Sequence, residues 1–251
     1  MTELTDPHIA EAITAARELR VELGIGFAGA VYPDLLKLTE SRLDLPVCIM
    51  QMPDGIAGAY LRKPTGRFIF LQSTDYPTRQ RFTLAHELGH HRLGHGGRVD
   101  AGSVVGFETD DPQEQQANYF ASEFLMPVDA ACKWIEENVE GKLTITDIVR
   151  IADDFDVSPP AALYRLSKGE FGIARDALDL LWDDIRSRRH MSIAEELEVG
   201  PGDDEIAAHW ETTDEGVGQP RLPAKLTDKK LAERAAEFIA DQRLDTVLRA
   251  A

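Results

Sequence analysis

The amino-acid sequence contains one short motif whose residue types and spacing point to metal chemistry. The motif reads His86-Glu87-Leu88-Gly89-His90. In an α-helix, His86 and His90 lie about 6 Å apart along the axis and about 40° apart around it, so both imidazoles leave one face and can bind one metal ion. Glu87 is rotated by about 100° from His86 and can reach a metal-bound water instead of the metal. The motif predicts a Zn²⁺ site with a general base beside it.

A catalytic zinc site needs a third protein ligand, and its fourth position is left for water. The downstream candidates are Glu108, Glu114 and Glu123. Glu108 falls in a predicted loop, and Glu123 lies about half a turn around the predicted helix from Glu114. Asn118 shares a helix face with Glu114, where its amide can hold the unligated nitrogen of a zinc-bound histidine. We therefore predict Glu114 as the third ligand; the alternative is a first-turn glutamate that only favours the helix dipole.

This set of residues suits hydrolysis. Zinc lowers the pKa of its water toward about 7 and polarises a carbonyl, while Glu87 takes the water proton and later gives it to the leaving amine. An oxyanion stabiliser is also expected. Tyr119, Tyr164 and Arg165 stay open as candidates, beside the alternative that each belongs to the core or the surface. His95 lies too far beyond the second histidine for a ligand, and we expect it to support the site structurally.

Two predicted helices would position these residues. Residues 79–92 carry apolar side chains at helical spacing and are followed by several glycines. Residues 112–126 begin at Asp111-Pro112, a capping residue followed by proline. Gly89 costs the first helix roughly 1 kcal/mol of propensity relative to alanine, which predicts close packing against a neighbouring backbone. The intervening residues 96–110 are predicted as a loop.

Three short stretches of strand character precede these helices. They are separated by turn residues and cover residues 47–52, 56–62 and 67–72. Consecutive hairpins of this kind predict a small antiparallel sheet. Two interpretations of the last strand stay open: an edge strand that binds extended peptide by strand addition, or a strand that only covers the helix.

The remaining segments are predicted to be mainly helical. Residues 144–167 have a helix-turn-helix rhythm, but acidic side chains outnumber basic ones there. Because phosphate contact needs clustered Lys and Arg, we predict a structural hairpin in preference to a DNA-binding one. Residues 199–226 are rich in Gly and Pro and predict a linker. The fold class is therefore α+β, with a sheet packed on a mainly helical body over residues 1–170 and an acidic helical extension over residues 171–251.

Composition and charge narrow the class of protein. Of 251 residues, 43% are hydrophobic and 28% are charged, as in ordinary globular proteins. Residues 1–99 carry as many basic as acidic side chains, so the whole net charge of −17 falls on residues 100–251. An acidic surface repels phosphate backbones and anionic lipids, which disfavours general nucleic-acid or membrane binding. A basic protein partner stays open, as does a role in solubility alone.

Cysteine usage and the N-terminal residues bear on the compartment. Cys48 and Cys132 are far apart in a sequence without a C-x-x-C pair, so neither a disulfide framework nor a cysteine-based zinc ribbon fits. The first residues do not resemble a secretory signal, and no apolar run reaches the length of a membrane span. We therefore predict a cytoplasmic protein.

Two longer motifs resemble those of the ImmA/IrrE-type zinc metallopeptidases of bacteria and their mobile elements. The first runs from Arg81 to His90 (R-F-T-L-A-H-E-L-G-H), and the second from Glu114 to Pro127 (E-Q-Q-A-N-Y-F-A-S-E-F-L-M-P). The strand pair ending at Gln72 is also similar, and the resemblance covers about residues 10–170. Residues 171–251 have no counterpart in it.

The resemblance implies a zincin-like domain and a peptidase activity. By residue, it implies zinc ligands at His86, His90 and Glu114 and a general base at Glu87. It also implies a protein substrate, such as a helix-turn-helix repressor, whose cleavage derepresses genes. The alternatives are a non-catalytic regulator on the same scaffold and a DNA-binding regulator. Glu87 argues against the first, because a surface that only binds needs no general base there. The acidic net charge argues against the second.

Overall fold

The computed structural model of the chain describes residues 6–27, 35–53, 55–63, 66–101, 109–168 and 171–199. Glu108, the predicted linker after Val199 and the C-terminal end of the acidic extension lie outside these residues. The helices and strands that the structure describes are, in chain order, α1 (Pro7–Glu22), α2 (Leu35–Arg42), β1 (Val47–Met50), β2 (Ile56–Lys63), β3 (Gly66–Gln72), α3 (Pro77–Arg92), β4 (Arg98–Ala101), α4 (Pro112–Leu125), α5 (Val128–Asn138), α6 (Ile145–Asp154), α7 (Pro159–Leu166), α8 (Arg175–Arg186) and α9 (Arg189–Leu197).

Capping residues account for where several helices begin. Asp6 and Asp111 accept hydrogen bonds from backbone N–H groups in the first turns of α1 and α4, and each is followed by proline. Thr144 and Asp147 form a reciprocal capping box at α6, and Ser158 caps α7. These local signals explain why the helix boundaries were predictable to within a few residues.

The sheet has the strand order β1-β3-β2-β4. β2 and β3 form the predicted antiparallel hairpin, but β1 pairs with β3 in parallel. The α+β class is confirmed, whereas the sheet is mixed and not purely antiparallel. The buried Gln72 side chain gives the physical reason: it accepts from Met52 N at 3.0 Å and donates to Met52 O at 3.1 Å. These bonds hold Met52, which follows β1, against Gln72, the last residue of β3, so the two strands end side by side.

The position of β3 inside the sheet changes one prediction. Residues 67–72 are flanked by β1 on one side and β2 on the other, so the hypothesis that they form a peptide-binding edge strand is wrong. β4, which pairs antiparallel with β2, occupies part of the predicted loop at 96–110. Its four residues include two charges and only one β-branched side chain, and such a short strand has no detectable alternation.

The two faces of the sheet belong to separate apolar clusters. One face joins the main core with the helices, through strand residues such as Ile49 and Leu71. The other face carries a small cluster of Cys48, Met52, Ile56, Ala59, Leu61 and Phe70. α8 reaches the main core through Leu181. In the described part of the chain, no helix is long and apolar enough to cross a membrane.

Candidate metal centre

The crossing of α3 and α4 brings the two motifs of the sequence together. A Cβ atom on Gly89 would lie 3.1 Å from Ala117 Cα and 3.2 Å from Phe120 Cβ. This confirms the close backbone packing that a glycine in mid-helix predicted. Because the helices approach so closely at this point, the faces carrying residues 86–90 and 114–118 meet in the interior.

Three potential metal donors converge at this crossing. His86 Nε2 and His90 Nε2 are 3.0 Å apart. The Glu114 carboxylate lies 3.2 Å from the first of these nitrogens and 3.5 Å from the second. The exposed fractions are 0% for both histidines and 2% for Glu114. The structure thus assembles the three side chains that the spacing singled out, and they could hold a metal ion.

The outward nitrogen of each histidine is held by a polar neighbour. His86 Nδ1 lies 2.9 Å from Asn118 Oδ1, and His90 Nδ1 lies 2.8 Å from His95 Nδ1. Asn118 thus contacts a candidate ligand from the helix face that it shares with Glu114, and its supporting role stays a prediction. His95 contacts a candidate ligand without joining the donor set, as expected. Both contacts turn the Nε2 atoms toward Glu114.

The charge states of these groups suit a cation. Burial lowers the pKa of His90 to about 4, so its imidazole is neutral near pH 7. Two imidazoles and a carboxylate form the ligand set of one class of catalytic zinc sites, so the residues present fit zinc.

Glu87 lies on the side of α3 that faces the sheet and is fully buried. A Cβ atom on Gly58 of β2 would be only 2.5 Å from Glu87 Oε1 and 2.5 Å from Thr83 Cγ2. Gly58 therefore leaves the space in which the Glu87 carboxylate sits. A register shift between Ile56 and Gly58 in the pairing with β4 accompanies this approach. Gly58 was not among the predicted site residues, although a glycine inside a strand is itself a signal of close approach.

Glu123, another candidate third ligand, is not brought to this cluster. Glu123 is 1% exposed and forms ion pairs with Arg165 and with Arg17, the latter at 2.7 Å. Arg165 also donates to Met126 O at 3.1 Å. Glu123 thus anchors three helices in the core, and Arg165 is engaged with it. Glu108 lies outside the described residues.

Two oxyanion candidates lie together beside Asn118. Lys168 Nζ donates to the Tyr164 hydroxyl at 2.8 Å and sits 5.2 Å from the centre of the Tyr119 ring. Along with Asn118, these residues line a small cavity. Tyr119 and Tyr164 thus share a cavity with Asn118, the neighbour of His86, and their suggested role stays a prediction.

Comparison with known proteins supports the family predicted from the motifs. The peptidase M78 family model, described as the IrrE N-terminal-like domain, matches residues 40–167, which is more than half of the chain. A comparison with curated proteins found no match. A solved structure titled Mycobacterium tuberculosis transcriptional regulator is similar at 20% identity with a TM-score of 0.46. The similar region covers 63% of this chain and 47% of that one, so it spans about half the length of the solved chain.

The matched residues include both central motifs and all three converging donors. The chain belongs to the peptidase M78 family, the family of the IrrE N-terminal-like domain, and this confirms the predicted resemblance to the ImmA/IrrE-type metallopeptidases.

Proposed function

We propose that the chain is a zinc-dependent endopeptidase with His86, His90 and Glu114 as zinc ligands and Glu87 as general base. The convergence of three buried donors within 4.8 Å of one another is the observation that carries this proposal. Membership of a metallopeptidase family supports it. The predicted cytoplasmic location stays part of the proposal.

The proposed mechanism gives each of these side chains one role. Zinc bound at the cluster would polarise the scissile carbonyl and acidify the attacking water. Glu87 takes the proton of that water and returns it to the nitrogen of the leaving amine. Asn118 and His95 keep the two imidazoles in their orientations, and the missing side chain at Gly58 leaves room for the Glu87 carboxylate.

The proposed substrate is a regulatory protein such as a helix-turn-helix repressor, whose cleavage would derepress genes. Family membership supports this choice. The division into a peptidase domain over residues 1–170 and an acidic extension over residues 171–251 also remains a proposal. The packing of Leu181 into the main core indicates that at least α8 is attached to the body of the domain.

The contacts of the α6–α7 hairpin disfavour the DNA-binding alternative. The apolar face of α6 is buried, and Arg165 of α7 pairs with Glu123 inside the protein. Lys168, just after α7, is bound to Tyr164. Two of the three basic side chains around this hairpin therefore already serve internal contacts and are poorly placed to bind phosphates.

The test is cleavage of purified repressors by the zinc-loaded full chain. Helix-turn-helix repressors of the same genome, beginning with those encoded nearest its gene, would be incubated with the chain and analysed by mass spectrometry. We expect one to be cut at a defined bond, with cutting stopped by a zinc chelator and restored by added zinc. A repressor that loses DNA binding while its chain stays intact would instead support the non-catalytic alternative.

Gly58→Ala should reduce cleavage while leaving zinc in place. The added methyl group would collide with Glu87 and Thr83 and displace the general base, and a displacement of about 1 Å can cost roughly a hundredfold in rate. Zinc content and cleavage rate measure the two effects separately. Gly96→Ala is the control, because a Cβ there meets no atom within 4 Å. Full cleavage by Gly58→Ala would show that Glu87 does not need this space.

A further inference from the structure

The turn after α3 places His95 directly over His90. Gly94 has φ +74°, a left-handed conformation that favours glycine. The backbone N–H of His95 then donates to His90 O at 3.0 Å, as in a Schellman motif, in which this bond reverses the chain at a helix end. The reversal brings the two imidazoles to a distance of 2.8 Å between their Nδ1 atoms.

A hydrogen-bonded chain continues from His95 to the first helix of the protein. His95 Nε2 lies 3.1 Å from Gln116 Oε1. Gln116 Nε2 donates to the backbone oxygen of His8 at 3.0 Å and to Glu11 Oε2 at 3.3 Å, both in α1. His95 and Gln116 are 6% and 7% exposed, so water does not readily replace these bonds. α1 precedes the residues matched by the family model.

The last hydrogen bond of this series, from Gln116 to the His8 carbonyl in α1, determines which atoms of the other residues carry hydrogen. The His8 carbonyl can only accept, so the Gln116 atom facing it must be the amide nitrogen. The Gln116 oxygen therefore faces His95, and His95 Nε2 must donate to it. A neutral His95 then has an accepting Nδ1, which requires a donor at His90 Nδ1. Neutral His90 is left with a lone pair on Nε2, the atom that faces Glu114.

We propose that His95 and Gln116 are positioning residues that fix His90 in its metal-binding tautomer, with the backbone of α1 as their anchor. The inference rests on the proposed metal centre. His86 Nδ1 contacts Asn118 of α4, whereas the contacts of His90 Nδ1 continue through His95 and Gln116 to α1. Loss of the hydrogen bond to α1 should therefore weaken zinc binding by His90 and leave His86 in its orientation.

Gln116→Met tests this proposal, because methionine keeps the length of the side chain and removes both polar ends. Gln115→Met is the matched control, since Gln115 is the next residue of α4 and is exposed. Zinc affinity of the full chain would be measured by competition with a chelating dye. We expect Gln116→Met to bind zinc about 10- to 100-fold more weakly than wild type, and Gln115→Met to bind it unchanged.

The tautomer of His95 gives a readout that needs no catalysis. In two-bond ¹H–¹⁵N spectra of the ¹⁵N-histidine-labelled chain, His95 should carry its hydrogen on Nε2 in wild type and in Gln115→Met. It should become a mixture of tautomers in Gln116→Met. Circular dichroism would establish that the variant is folded. Unchanged zinc affinity and an unchanged His95 tautomer in folded Gln116→Met would overturn the proposal.

Failure of the proposed function can be told apart from failure of this inference. If wild type binds zinc but cuts no repressor, weaker zinc binding by Gln116→Met would still support the positioning role of His95 and Gln116. If wild type binds no zinc, the proposed metal centre fails, while the His95 spectrum alone decides whether the α1 anchor sets the tautomer.

Discussion

Replacing Glu87 by glutamine should leave zinc bound and lower cleavage of the target by about 10²- to 10⁴-fold, the usual contribution of a general acid–base group. Glutamine has nearly the same size, so it fits the buried space beside Gly58. It cannot take a proton from the attacking water. Since Glu87 is not one of the three converging donors, the zinc content should stay near one ion per chain by elemental analysis.

Glu22→Gln is the control for that substitution. Glu22 belongs to α1 and pairs with Arg92 of α3 at 2.8 Å on the surface. Exposed ion pairs contribute only about 0–1 kcal/mol, so both cleavage and zinc content should match wild type. Undiminished cleavage by Glu87→Gln would eliminate the general-base role and, with it, the mechanism proposed for this chain.

Replacing Glu114 by glutamine should strip the site of zinc. The change preserves the size of the side chain and removes the charge that faces His86 and His90. Loss of a direct ligand should cost more affinity than loss of a supporting residue, for which about 10- to 100-fold is usual. Dialysis against a mild chelator followed by elemental analysis should find little zinc in this variant, and cleavage should disappear as well.

Two variants on the same helix separate ligand loss from other effects. Asn118→Ala should retain zinc partly, because it removes the neighbour of His86 Nδ1 but none of the three converging donors. Glu123→Gln removes an equally buried charge, but this charge faces Arg17 and Arg165. It should lower the Tm, because breaking a buried ion pair destabilises a protein, and it should keep zinc. Zinc lost from Glu123→Gln and kept by Glu114→Gln would show that the ligand assignment is wrong.

Much of the candidate site was predictable because its signals are local. The spacing of His86 and His90, the capped start of α4 and the i+4 relation of Glu114 to Asn118 each lie within one helix. Gly89 added a tertiary inference, since a glycine in a good helix indicates a close neighbour. In the structure, this neighbour is the backbone of α4 at Ala117.

The features that the sequence analysis missed depend on contacts between distant segments. Parallel pairing of β1 with β3 is held by Gln72, whose bonds to Met52 follow no spacing rule. The packing of Gly58 against Glu87 joins a strand to a helix. The link from Gln116 to α1 spans more than a hundred residues. Turn chemistry and periodicity describe neighbours along the chain, and they say little about such partners.

The most direct test of the account is to locate the metal by anomalous scattering at the zinc absorption edge, in crystals of the zinc-loaded Glu87→Gln chain. We expect one anomalous peak at the crossing of α3 and α4, about 2.0 to 2.2 Å from His86 Nε2, His90 Nε2 and a Glu114 oxygen. The substituted side chain at position 87 should lie next to the metal without touching it. A zinc peak elsewhere, or a folded zinc-treated chain with no peak among these three residues, would contradict the proposed metallopeptidase centre.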